Sequence, residues 1–409
     1  MAYKTGFVKN YKDLLLALKD FIDNEKKAFN VIPNVNNVGN GYISTERVVD
    51  DSSAGAPDET WTLVATSATN FTVTGSVSGS QTAATVGTPY DNAIIAFEIV
   101  VGGIAFQADD SFTFEVADGL STQKWTINRW DTSSEYEMLA MGPGSAGDDA
   151  IYVGIQTFSS SVDYHCWRLN GFTGYQSESL FMNQPGAIQD TPPLMLLWNA
   201  KIAYWFVASG RRIVIVARLG TIYEAAYLGL YLGYGTPAAL PYPLAIGGSS
   251  CAAGLALSDY QYTNQDPNHK CFVDPNGVTD GSYCTLRVLH GSWLGFANFD
   301  LNDYVVVALR NLVWPYNYGN MYSFTTNYAY TRYRVLQKNL DDSLSLFPLI
   351  LMNGNPSGGN VLGELDGCKA VPAPNASAED TIVDGSDTYV LFSNVFRSWS
   401  YDYWALKLE

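Results

Sequence analysis

The feature that most restricts this chain is a change of hydrophobic period. Between residues 11 and 24, apolar side chains recur at helical spacing through Leu14, Leu15, Leu18, Phe21 and Ile22. From residue 60 onward the period falls to two. Trp61 and Leu63 alternate with Thr60 and Thr62, Phe71 and Val73 with Thr72 and Thr74, and Phe112, Phe114 and Val116 with Ser111, Thr113 and Glu115. A period near 3.6 lays one apolar stripe along a helix, whereas a period of two sends successive side chains to opposite faces of a strand. The spacing therefore predicts one amphipathic helix over 11–24, with Asn10 as its N-cap, and then strands. Further strands are predicted over 151–156, 203–207, 213–217, 304–309, around 328–335 and over 389–392. Ser209 and Gly210, ahead of Arg211 and Arg212, mark a hairpin, and the glycines at 75–79, 87 and 102–103 supply turns.

The fold class that follows is mainly β: a short N-terminal α-helix followed by antiparallel β-sandwich-like modules with long loops. Three segments are expected. Residues 1–56 hold the helix and an extended linker, 57–118 a small β module, and 119–409 a larger mainly-β body open to division near 250.

Composition narrows the function. The chain has 409 residues, 47% of them hydrophobic, which is enough for a large core and excludes bulk disorder. Its net charge of −17 excludes the broad cationic footprint that nucleic acid requires and disfavours an anionic membrane surface. That charge is uneven. The first 30 residues carry six lysines and four acids, while the remainder carries 17 basic and 36 acidic residues. Such acidity reads as solubility for an aromatic-rich chain rather than as a binding site. No apolar run reaches the roughly 20 residues of a membrane span, and no secretion signal is expected at the start. Five cysteines are few and odd in number, which suits buried thiols folded in a reducing cytosol. The helix stripe has two readings: it packs on the chain's own β body, or it docks a neighbouring subunit.

Chemistry finds little purchase. Gly142-Pro143-Gly144-Ser145-Ala146-Gly147 fits G-x-G-x-x-G, but Asp148, Asp149 and a strand pattern follow it where a dinucleotide site needs a helix N-terminus. His269, Cys271, Cys284 and His290 are metal-like in type. On a strand, however, His269 and Cys271 would not close the usual zinc knuckle, and a Cys271–Cys284 disulfide or separate thiols stand beside zinc as readings. His165 beside Cys166 reads as a partly buried histidine. Glu135 with Glu137, or Asp300 with Asp303, could be written as a glycosidase pair, but spacing prefers neither over solvated carboxylates. Acid-rich turns over 274–280 and 298–303 lack a full calcium ligand set. No cofactor is expected.

Two stretches resemble known proteins. Tyr3-Lys4-Thr5-Gly6 followed by the 11–24 helix is similar to the start of several tailed-bacteriophage virion proteins. So is the module Trp61-Thr62-Leu63, Phe71 to Gly79, Val86-Gly87-Thr88-Pro89-Tyr90 and Gly103 to Phe114. In that family the last part runs Gly-x-x-Phe-x-x-Gly-Asp-x-Phe, and here Asp109 stands at the second glycine. The resemblance covers about residues 1–117, with looser similarity over 213–248 and 389–406. It implies a non-enzymatic structural subunit of a tailed phage particle, in the tail or baseplate or in the neck or collar, made and folded in the host cytoplasm. The implied partners are other virion proteins and copies of itself, with the helix stripe as attachment element. The rival expectation is a receptor- or carbohydrate-binding virion protein that uses exposed aromatics, Trp314, Tyr316 and Tyr318, against a host surface glycan. Neither reading involves nucleic acid or membrane insertion.

Overall fold

The computed structural model describes residues 2–23, 28–44, 59–117, 124–251, 271–272, 286–294, 304–309, 344–354, 360–371, 376–393, 395 and 403–408, apart from isolated loop positions. The chain is mainly β. Among the described residues the strands form four sheets, and one α-helix, Tyr11–Ile22, stands near the start. The helix begins where expected because the Asn10 side chain accepts hydrogen bonds from the backbone N–H of Lys12 (2.8 Å) and Asp13 (2.9 Å). This satisfies donors that no helical carbonyl can reach.

A ten-stranded central sheet organises the body. Its order is Ser292–Leu294, Leu286–His290, Leu244–Gly247, Ile222–Leu230, Arg212–Leu219, Ile202–Ala208, Ala2–Val8, Tyr42–Ser44, Ala96–Val100 and Pro89–Asp91. All its pairings are antiparallel except that of Ala2–Val8 with Tyr42–Ser44. One face packs on the helix and on a six-stranded flank sheet that includes Glu137–Gly142, Ile151–Ser161 and Tyr164–Phe172. Phe206, Ile213, Ile215 and Leu228 meet Phe21, Ile155, Trp167 and Met195 in that layer. The other face packs on a C-terminal sheet. There Val207, Val214, Val216 and Tyr227 share a core with Leu351, Cys368, Phe392, Trp404 and Leu406.

The body is thus a three-layer β sandwich whose middle sheet has no solvent face in its central strands. Every residue of Arg212–Leu219 except Arg218 is buried. This explains why its centre, Ile213-Val214-Ile215-Val216-Ala217, is a continuous apolar run rather than an alternation. Ala2–Val8, by contrast, was not legible as a strand, because Lys4, Thr5 and Gly6 interrupt its apolar pattern. Its place comes from full antiparallel pairing with Ile202–Ala208, in which Lys4 stands opposite Phe206.

The smaller six-stranded module sheet runs Ala28–Pro33, Ser111–Ala117, Glu59–Ala65, Asn70–Gly75 and Gly79–Ser80, with Ala84–Thr85 paired to Asn70–Gly75. Here burial alternates along Asn70–Gly75, as the period-two sequence requires. Its inner residues Trp61, Leu63, Phe71, Phe112 and Phe114 pack on Ile43, Tyr90, Phe97 and Ile99. Those four belong to the end of the central sheet. Strands from residues 57–118 are therefore divided between two sheets, and Ala28–Pro33, from the segment expected to be a linker, completes the module.

Candidate functional site

The helix stripe is settled by packing. Leu14, Leu15, Leu18 and Ile22 have no exposed surface and Phe21 only 1%. They lie in one core with Tyr204, Phe206 and Trp167, and the Trp167 indole N–H donates to the Tyr11 carbonyl at 2.9 Å. A partner can reach none of the five, so they are core residues and not an attachment face. Trp314, Tyr316 and Tyr318 lie outside the described residues, as do His269, Cys284, Asp300 and Asp303.

The most elaborately organised surface is at one end of the module, where the 34–41 loop lies against residues 101–111. At its centre is Asp110, only 3% exposed. Its Oδ1 accepts the Val38 N–H (2.7 Å), and its Oδ2 accepts those of Gly39 (2.8 Å) and Gln107 (3.0 Å). Burial by itself would push this carboxyl up. The N–H groups of Gln107, Val38 and Gly39 outweigh that and hold it below the ordinary carboxylate range. Three asparagines at intervals of three extend the clasp. Asn34 N–H donates to the Ser111 carbonyl (2.9 Å), Asn37 exchanges side-chain bonds with both backbone groups of Ser111 (2.7 and 2.8 Å), and Asn40 Oδ1 accepts the Ile104 N–H (2.8 Å).

Close packing completes the arrangement. A Cβ on Gly41 would stand 2.3 Å from the Phe106 ring, and one on Gly39 would stand 2.6 Å from it. Only glycine lets the loop lie on that ring. Asp109 adopts φ +74°, the left-handed region in which glycine is at ease and aspartate is tolerated. The departure from the Gly-x-x-Phe-x-x-Gly-Asp-x-Phe pattern therefore leaves the backbone turn intact.

The polar groups that could suggest catalysis are arranged otherwise. Thr157 and Ser159 donate to Glu135 at 2.6 and 2.8 Å, whereas Gln156 and Arg129 donate to Glu137 at 3.0 and 2.9 Å. Successive residues of Ile151–Ser161 point to opposite faces, so Thr157 and Ser159 hold Glu135 on one side of the flank sheet and Gln156 holds Glu137 on the other, and the two carboxylates cannot flank one bond. Their environments differ accordingly. Burial pushes Glu135 up, but the hydroxyls of Thr157 and Ser159, with Lys12, outweigh it and lower the carboxyl. Burial prevails at Glu137 and raises it despite Arg129.

Ser159 and His165 stand opposite each other in the ladder, and the His165 ring lies 4.7 Å from that of Tyr11. The serine hydroxyl nevertheless donates to Glu135, the acid, where a nucleophilic relay needs the imidazole between them. Cys271 is buried between the central and C-terminal sheets while His290 is exposed. Among the described residues, no three His, Cys, Asp or Glu side chains are grouped to hold a metal. After Gly142, a turn through Gly144 (φ +72°) leads to the strand Ile151–Ser161. No helix among the described residues is long and apolar enough to cross a membrane.

The clasp was missed in the sequence because it has no hydrophobic period. Two signals were present: Asn34, Asn37 and Asn40 at intervals of three, and the adjacent carboxylates Asp109 and Asp110 between Phe106 and Phe112. No protein-family model matches the chain, and no curated protein matches it.

Proposed function

We propose that this chain is a non-enzymatic structural subunit of a tailed phage particle, from the tail or baseplate or from the neck or collar, which works through contacts with its own copies and with other virion proteins. The observation that carries the reading is the role of the residues that bear the resemblance. Trp61, Phe71, Phe106, Phe112 and Phe114 form the module core, and Asp110 closes the loops over it. A motif whose members build a module, rather than line a cleft, suits a protein selected for assembly. The separated carboxylates and the Ser159–Glu135 bond favour the same reading over hydrolysis.

The test is location. Purified particles from cells that make this chain should contain it in fixed stoichiometry by quantitative mass spectrometry, and a map of the particle should place it at the tail or neck. Its absence from gradient-purified particles would remove the proposal.

A further inference from the structure

The Asp110 clasp fixes two loops that turn large aliphatic side chains into solvent. Val35 is 96% exposed, Val101 62%, Ile104 54% and Val38 50%. Three residues before Val35, Ile32, 64% exposed, is the penultimate residue of the strand Ala28–Pro33, which is an edge of the module sheet. Scattered aliphatics on a surface are ordinary, but these come from loops tied together at Asn40–Ile104 and at Val38–Asp110. Loops held this firmly lose little conformational freedom when they are covered, which is the property of a preorganised contact surface.

The occupant follows from charge. Neither residues 28–44 nor residues 99–108 contain an Asp, Glu, Lys, Arg or His, in a chain of net charge −17. A partner recognised by charge would find only the exposed carboxylate of Asp109 in the clasp to pair with. Two copies of an acidic chain repel over most of their surfaces and approach at least cost through a neutral patch. Asn36, exposed beside Val35, carries both a donor and an acceptor, so the same surface can satisfy itself about a twofold axis.

We propose that the surface formed by the 34–40 and 101–104 loops is where a second copy of this chain docks. This deepens the subunit reading and rests on it for its place in a particle. Five aliphatics fall short of the roughly 800 Å² per partner typical of a stable pair. A single contact is therefore weak and gains strength when several copies are held in a ring or stack.

Sedimentation velocity of the full chain over a wide concentration range, at low and raised salt, tests the proposal. The wild type should self-associate, and more tightly in salt, which screens the repulsion between acidic copies. Val35→Asp with Ile104→Asp should weaken association by about 100-fold or more at unchanged melting temperature. Val35→Ile should retain it. A wild type that stays monomeric throughout, or a double variant that assembles like the wild type, overturns the surface. If particles contain the chain while the purified protein is monomeric, the surface fails and the subunit reading stands. If the double variant alone loses assembly and no particle contains the chain, the surface stands and the subunit reading fails.

Discussion

The central sheet and the module are secured on different terms. In the body, order comes from apolar burial on both faces of one sheet, with the helix as part of the covering layer. At the loop end of the module, order comes from one buried carboxylate, three asparagines and two glycines against a phenylalanine ring. The first kind of order is collective, because each apolar side chain adds an increment of burial. The second is concentrated, because removing a single acceptor leaves several donors unsatisfied at once. The body can therefore be weakened by degrees, and the clasp fails as a unit.

Deleting residues 2–23 should break the body outright. Ala2–Val8 is an interior strand of the central sheet, and the helix fills one of its two cores, so the expected outcome is insoluble or molten protein. Circular dichroism and dye binding would show it. A soluble, cooperatively folding truncation would mean that the body does not depend on its first strand and helix. Leu18→Ala should lower stability by about 2–5 kcal/mol in a denaturant titration, the range for truncating a fully buried leucine.

Asp110→Ala should cost less in global stability, about 1–3 kcal/mol for donors left without their acceptor. Its local effect should be larger. Amide exchange should accelerate at Val38, Gly39 and Gln107 and leave Ile213–Val216 unchanged. The pH dependence follows from the lowered carboxyl. A group whose folded pKa is depressed contributes stability that is fully present above the unfolded value, near 4. That stability is lost as pH falls through the lower folded value. The stability gap between wild type and Asp110→Asn should accordingly be constant at neutral pH and shrink below about pH 4. A gap that persists to strongly acid pH would assign the clasp to shape rather than charge.

Legibility in the sequence divides along the same line. The helix was readable to within two residues because Leu14, Leu15, Leu18, Phe21 and Ile22 form a stripe that only a helix makes coherent. The half-exposed strands of the module were readable because Phe71 and Val73 alternate with threonines. The strand Ala2–Val8 was not, since its place depends on Ile202–Ala208, some two hundred residues away. The clasp was unreadable for another reason. Hydrogen bonds between a loop at 34–40 and one at 104–111 impose no period on either, and an acid such as Asp110 looks the same whether solvated or buried. The helix stripe carried an ambiguity of its own, because the pattern that fits a core also fits a partner. Packing against Phe206 and Trp167 resolves it in favour of the core.

The finest difference between the two regions lies at Asp109, and it can be measured. The clasp requires a left-handed residue beside Asp110, and the chain supplies aspartate at φ +74°. Glycine reaches that conformation without a Cβ clash, whereas other residues incur roughly 1 kcal/mol. Glycine also loses more backbone entropy on folding, which opposes the gain. Asp109 is exposed, so its replacement disturbs no core contact. Asp109→Gly should therefore raise stability by at most about 0.5–1 kcal/mol, whereas Asp109→Ala should lower it, because alanine keeps the Cβ and lacks the polar side chain that eases this conformation. Paired thermal melts of the two variants would read the difference. If alanine matched or exceeded glycine there, the left-handed turn would not be what fixes this end of the module, and the clasp would have to rest on the Asp110 bonds alone.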